Sequence, residues 1–425
     1  MFKNIIQFQL ERYVKKYFRS HPEVRLVAIT GSVGKTSTKF AIATVLQQHF
    51  RVRFHGGNHN SELSAPLAIM GIEYPEDIKS IAEWRRVFKE MKARISAPSD
   101  VDVIVQELGT DRIGQIPHFG TYIKPDIGVV TAVSPEHMEF FKTIDAVAKE
   151  ELYISKYSKQ VLINGDDIEK KFHYLADNKL VNTYGVASTN EYYFSYDEFN
   201  LDKGYLGKIE ATEIASGIAV DLNVFGSHSI RPVVAAAAIG IKLGMSSDEI
   251  SKGVAKVHPV YGRMNILPGK NGIKIIDDSY NSSPLALKAA LDTLYNLKST
   301  NNIAVIGDMN ELGDSAASEH QIAASLCDPR KLSLVVTVGK LTKSFLAPAA
   351  TLKGCKVLSF DNSKQAGEYL LKNAPENSTI LFKGSEGGIY LEEAIKPLLK
   401  SPQLNINLVR QSATWLKRKD EFFKS

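Results

Sequence analysis

Two hydrophobic periods alternate along most of this chain. Short continuous apolar runs of strand length give way to stretches in which apolar residues recur every three or four positions. Val24–Ile29, Val101–Val105, Asp126–Thr131 and Gln160–Asn164 are runs of the first kind and predict buried strands. Thr38–Phe50, with Phe40, Ile42, Val45 and Leu46, is of the second kind and predicts a helix. Such alternation predicts a parallel sheet covered by helices. Between 182 and 224 the character changes. Tyr192–Phe194, Leu206–Ile209 and Ile218–Leu222 predict antiparallel strands, and Val233–Leu243, with alanines at 235–238, predicts a closely packed helix. After the turn-rich Leu267-Pro268-Gly269-Lys270-Asn271-Gly272 a second series of runs begins: Ile273–Ile276, Ile303–Ile306, Leu334–Val338, Lys356–Phe360 and Ser378–Phe382.

The first predicted strand ends in Thr30-Gly31-Ser32-Val33-Gly34-Lys35-Thr36-Ser37. Strand, glycine turn, Lys-Thr, helix is the setting of a phosphate-binding loop. Glycines let backbone N–H groups approach phosphates, and the helix N-terminus adds partial positive charge. Lys35 would neutralise the terminal phosphates and Thr36 would offer a hydroxyl to Mg²⁺. The spacing is shorter than the common pattern, which has Gly where this chain has Ile29. The expected architecture is α/β: a P-loop central domain with a parallel sheet (25–267) and a C-terminal Rossmann-like domain (268–425). Residues 1–24 form one amphipathic helix in this reading, laid on the first domain. Its basic polar face also suits a membrane surface.

Composition narrows this little. At 425 residues, 44% hydrophobic and 23% charged, the chain is of globular type with room for two or three cores. No apolar run approaches the roughly 20 residues of a membrane span. The first twenty residues carry charge throughout, unlike a signal peptide. Two cysteines, Cys327 and Cys355, cannot make a disulfide framework or a zinc ribbon, so a cytoplasmic setting is expected. The net charge of +5 suits an anionic substrate, and no basic stripe interleaved with aromatics points to nucleic acid.

Further candidates sit just after predicted strands, where open parallel sheets collect ligands. Glu107 follows one such strand and is either a metal ligand or a solvated loop carboxylate. His137 follows the next. Asn58 and Asn60 lie in the polar loop Gly57-Asn58-His59-Asn60. Asp277-Asp278-Ser279-Tyr280-Asn281 opens the second domain, where carboxylates and an Asn can hold ribose hydroxyls and a base edge. Gly307-Asp308-Met309-Asn310-Glu311-Leu312-Gly313 follows the next strand there.

These stretches, in this order, together with His137-Met138-Glu139-Phe140-Phe141, Gly262-Arg263-Met264 and Lys383-Gly384-Ser385, resemble the Mur ligase family over roughly residues 25–395. Asp-Asp-x-Tyr-Asn followed by Gly-Asp-Met-x-Glu-Leu-Gly is similar to the branch that adds a D-alanyl-D-alanine dipeptide. The resemblance implies ATP and Mg²⁺ as cofactors, and a muramoyl-peptide precursor and D-Ala-D-Ala as substrates. It implies that ATP converts a carboxylate to an acyl phosphate, which an amine then attacks, in a site completed by domain closure. By the same resemblance Gly31, Ser32, Val33, Gly34, Lys35, Thr36 and Ser37 cradle the phosphates. Thr36 and Glu107 would hold one Mg²⁺ and His137 a second. Asn281 would contact adenine, Asp278 the ribose, and Arg263 would face the nucleotide.

The chain departs from the family pattern in places. Nothing before Glu23 resembles the family's UDP-binding domain, so the expectation is that a partner or another surface recognises the UDP-sugar, or that the acceptor differs. The family's carbamylated lysine falls on Glu151, which is expected to supply the same charge permanently. Lys149, two residues away, lies on another face. Ser229 and Pro232 replace the family's asparagines, and Glu386 stands where Arg usually follows Ser385. Two rival readings remain: another ligase of the superfamily (folylpolyglutamate-synthetase-like or wall-precursor-amidating), and an ATP-binding scaffold without turnover.

Overall fold

The computed structural model describes residues 2–200, 204–297, 299 and 301–424, with the side chains of 199, 200 and 227 left aside. The ends of the expected first and last segments, Met1 and Ser425, fall outside these. The chain divides into two compact units. One comprises residues 1–134, 140–223 and 230–258, and the other residues 135–139, 224–229 and 259–425.

The first unit is built on nine strands: β1 (Arg25–Thr30), β2 (Val52–Phe54), β3 (Val103–Glu107), β4 (Ile127–Val130), β5 (Gln160–Asn164), β6 (Val181–Gly185), β7 (Tyr192–Asn200), β8 (Gly204–Ala211) and β9 (Ile214–Leu222). Their order is β2-β3-β1-β4-β5-β6-β7-β8-β9. Neighbours are parallel as far as β7, and β7, β8 and β9 then form an antiparallel meander. Burial explains the contrast in sequence: β1, β3 and β4 are covered on both faces and read as continuous apolar runs. From β1 the chain goes first to one side, through β2 and β3, and then to the other, through β4. The carboxyl end of β1 is therefore a topological switch point, the place where such sheets bind ligands.

The helix α1 (Phe2–Ser20) buries Ile6, Leu10, Val14 and Tyr17, a stripe at spacings of three and four. It packs on α3 (Ser64–Met70) and α4 (Ile81–Ser96), and α2 (Lys35–Leu46) follows β1. Tyr13 stacks on Phe88 with centroids 5.7 Å apart, and Glu11 meets His118 Nε2 at 2.7 Å. The helix expected to start at Val233 spans Ser227–Lys242 instead, and Pro232 lies inside it.

The second unit carries six strands: β10 (Asn265–Pro268), β11 (Lys274–Asp278), β12 (Asn302–Gly307), β13 (Leu334–Val338), β14 (Val357–Phe360) and β15 (Thr379–Lys383). Their order is β10-β11-β15-β12-β13-β14, parallel except for β10. This sheet thus begins at Asn265, slightly before the turn at 267–272. Here too the last strand, β15, inserts between β11 and β12, so the ends of these three strands share one edge. Ile275, Val305, Val336, Ile380 and Phe382 lie in its core, with Leu370 and Leu391 packed on them.

Removing a side chain from the α1 seam tests its attachment. Leu10→Ala leaves a cavity at a position with no exposure and should lower unfolding stability by about 2–5 kcal/mol in urea titrations.

Candidate active site

The turn after β1 can close only with glycine at two positions. Gly31 has φ 126°, and a Cβ there would stand 2.3 Å from Thr131 Oγ1 and 2.8 Å from the Ala132 nitrogen. Gly34 has φ 91° and immediately precedes α2. Both are conformations an L side chain resists. The turn is braced by the segment beyond β4: Ser32 N–H donates to Ala132 O (3.0 Å), Thr131 Oγ1 to Val33 O (2.6 Å) and Ser134 N–H to Ser32 Oγ (3.0 Å). Lys35 Nζ folds back on its own loop, donating to the carbonyls of Gly31 and Ser32. Thus Gly31 to Thr36 form a backbone cradle at the amino end of α2, as a phosphate group needs.

Glu107, the last residue of β3, lies beside that cradle and is 3% exposed. It is therefore not a solvated loop carboxylate. Its Oε2 accepts from Thr36 Oγ1 at 3.1 Å and faces Lys39 Nζ at 3.2 Å. Its Oε1 accepts from Asn60 Nδ2 at 3.1 Å. Lys39, one helical turn after Lys35, also donates to Gly57 O at 2.9 Å. Gln106 ties the same loop down through His59 O at 2.7 Å. Asn58 is exposed on this loop. Sequence reasoning passed over Lys39 and Gln106, and the only available signal was a lysine on a helix otherwise turned inward.

A carboxylate and a hydroxyl are hard oxygen donors of the kind Mg²⁺ takes, with phosphate oxygens and water completing its shell. Thr36 and Glu107 fit that ion. Among the described residues no three His, Cys, Asp or Glu side chains converge to hold a metal by themselves.

Glu151 ends the helix Ile144–Glu151 and is 2% exposed. Its Oε2 accepts from the Gly31 N–H at 2.8 Å and from the Thr30 hydroxyl. The charge therefore rests at the root of the phosphate loop. Its neighbour Glu150 faces elsewhere, accepting from the Gly114 and Ile116 amides at 2.8 and 2.7 Å. His137 belongs to the stretch 135–139, which clusters with the second unit. Its φ is 49°, and its Nδ1 lies 3.4 Å from the Glu311 carboxylate. Met138 N–H donates to Glu311 O at 3.2 Å.

In the second unit Asp278 ends β11 beside Lys383, which ends β15. Lys383 Nζ meets Asp278 Oδ2 at 2.9 Å and donates to Asn281 O at 2.6 Å. Asp278 Oδ1 also accepts from Met264 N–H at 3.2 Å. Arg263 lies over the Tyr280 ring, 4.4 Å from its centroid. Arg410 donates to Ser279 O (2.9 Å) and Tyr280 O (3.1 Å) and pairs with Glu392 at 2.7 Å. Lys383 and Arg410 thus hold the Asp278–Asn281 turn from both sides. Arg410 was missed because it lies far along the chain, in a stretch whose pattern announces only a charged helix. Asp308 caps the segment after β13, accepting from Thr342 N–H (2.7 Å) and Oγ1 (2.9 Å). Asn310 N–H donates to Ser385 Oγ at 2.9 Å.

Residues 29–240 match the Mur ligase middle domain and residues 262–386 match the Mur ligase glutamate ligase domain. The chain belongs to the Mur ligase family. The UDP-N-acetylmuramoyl-tripeptide–D-alanyl-D-alanine ligase of Bacillus subtilis is 29% identical to it over 399 residues, which are 92% of this chain and 79% of that Mur ligase. Among solved structures, MurF from Acinetobacter baumannii superposes with a TM-score of 0.76 at 22% identity, covering 93% of this chain and 81% of that one. MurF from Thermotoga maritima in complex with ADP gives 0.74 at 21% identity, covering 92% and 83%. Among the described residues of this Mur ligase, no helix is long and apolar enough to cross a membrane.

Two predictions follow from buried charge. Lys39→Met would remove a cation that faces the buried Glu107 carboxylate. Unfolding stability should fall by about 3–5 kcal/mol in chemical denaturation. Asp277 is the second case. Burial, only partly offset by hydrogen bonds from Ser279, pushes its carboxyl up from 3.8 to about 7. Its Oδ2 has no hydrogen-bond partner among the described residues. Below pH 3.8 the group is protonated in both folded and unfolded chains. As pH rises towards 7 only the unfolded chain ionises, so stability falls through that window. Asp277→Asn should flatten the urea midpoint between about pH 4 and 7 relative to the parent chain.

Proposed function

We propose that this chain is an ATP-dependent amide ligase of peptidoglycan precursor synthesis, joining D-alanyl-D-alanine to a muramoyl-tripeptide. The observation that carries the reading is the buried Thr36–Glu107 pair beside the phosphate loop, at the switch point of a sheet of Mur ligase type. The relatives named above supply the substrate class.

A carboxylate oxygen of the tripeptide attacks the γ-phosphorus of ATP, and the bond to the β-phosphate oxygen breaks. ADP and an acyl phosphate result. The amine of D-alanyl-D-alanine then attacks the acyl carbon, loses a proton and expels inorganic phosphate. Lys35 and the loop N–H groups neutralise and align the phosphates, because in-line transfer is a matter of positioning and charge. Thr36 and Glu107 would hold Mg²⁺, which would supply the positive charge that lets a carboxylate approach a triphosphate. Asn60 and Lys39 keep Glu107 oriented. His137 would serve a second Mg²⁺. Glu151 stands where the family carries a modified lysine and sets the polarity of the loop root. Asp278, Asn281 and Arg263 would receive the nucleoside. An ATP-fed reaction of this kind would run in the cytoplasm.

The test is product formation. With ATP, Mg²⁺, UDP-muramoyl-tripeptide and D-alanyl-D-alanine, the purified chain should release phosphate and form the pentapeptide in equal amounts. Lys35→Ala should reduce both by at least about a hundredfold. ATP binding without phosphate release on any acid and amine pair would favour the scaffold reading.

A further inference from the structure

Helices α1 and α4 run side by side in the same direction. Tyr13 stacks on Phe88, and His21 just beyond α1 meets Arg94 O at 3.2 Å, so the two amino ends lie together. Trp84 Nε1 donates to Ile78 O at 2.9 Å, folding the residues ahead of α4 onto the same end. Phe2, Ile5, Phe8, Ile78 and Ile81 all belong to these ends and are between 43% and 62% exposed. Isolated exposed apolar residues are ordinary, but five large ones at one end of a helix pair form a patch.

The same outward faces turn basic further along. On α1, Ile5 and Phe8 are followed at helical spacing by Arg12, Lys15, Lys16 and Arg19, all exposed. On α4, Ile81 is followed by Arg85, Lys89 and Lys92, all exposed. The two helices carry ten Lys and Arg against three Glu. The whole chain has a net charge of only +5, so this pair concentrates more positive charge than the entire molecule shows. Nearby acids are Glu73, Glu76 and Asp77 in the loop ahead of α4, where Lys79 offsets one of them. Apolar tip and basic shaft, repeated in parallel on two helices, match the layering of an anionic bilayer. The acyl boundary accepts Phe and Ile, and the headgroup layer accepts Lys and Arg.

We propose that the α1–α4 face docks on an anionic lipid membrane as a peripheral anchor, with Phe2, Ile5, Phe8, Ile78 and Ile81 inserted and the basic stripes on the headgroups. An acidic soluble protein would satisfy the charge but has no use for the exposed tip. The patch is remote in sequence from Lys35 and Glu107, and it works whether or not the ligase reading holds.

The test is cosedimentation of the full chain with vesicles of phosphatidylcholine containing about a third phosphatidylglycerol, against phosphatidylcholine alone. The chain should pellet with the anionic vesicles only, and less as salt rises. A combined Ile5→Ser, Phe8→Ser, Ile81→Ser variant should lose partitioning by on the order of tenfold or more. Lys15→Glu with Lys16→Glu should do the same, and independently. Circular dichroism and ATP-dependent phosphate release in solution should match the parent for both variants. Failure of the parent to pellet, equal pelleting with both vesicle types, or undiminished pelleting of either variant would overturn the proposal. Retention on a soluble polyanion without vesicle binding would likewise overturn it.

Discussion

A carboxylate almost sealed from water ends the third strand of the first sheet, and much of the nearby architecture answers to it. A buried charge is tolerated only when it is paired and hydrogen-bonded. Glu107 recruits Thr36 and Lys39 from the helix after the phosphate loop, and Asn60 from a separate loop. Three segments distant in sequence are thereby locked around one pair of oxygen atoms. The low local dielectric that makes the arrangement costly also makes it responsive to any cation brought near. In this way one pair of oxygen atoms governs both the packing of three segments and the charge beside the phosphate loop.

The second unit solves a similar problem with the signs distributed differently. Asp278 is balanced by Lys383 across adjacent parallel strands. Glu392 is balanced by Arg410 and Lys419, and all three are buried. Arg410 also donates to two carbonyls of the turn after β11. The helix Ala413–Lys424 is therefore fastened to that unit through Lys419. A planar guanidinium with several donors can grip a carboxylate and a backbone turn at once, which an ammonium group cannot.

The central strands were legible because they are apolar on both faces. Gln160–Asn164 forms a strand over the stretch its pattern marks, and Val103–Glu107 begins two residues later than its run. The antiparallel character of 192–222 was legible from short runs broken by turn residues. The phosphate loop was legible because its chemistry demands contiguous residue types. The helix before Val233 was obscured by Pro232, which lies inside the helix despite the local rule. Lys39, Lys383 and Arg410 acquire their roles from partners that only the folded chain brings near. No spacing rule encodes a lysine reaching a carboxylate 68 positions away, as Lys39 does with Glu107. Glu151 was singled out by resemblance, and its bond to the first amide of the loop belongs to three-dimensional structure alone.

That bond has a consequence for how the molecule depends on its surroundings. A carbamate on lysine forms from dissolved carbon dioxide and is lost when carbon dioxide is scarce. Glu151 has its carboxyl group from the moment of translation. A side-chain carboxyl at this place needs no dissolved gas to form, so the Gly31 amide and the Thr30 hydroxyl meet it without a slow maturation step.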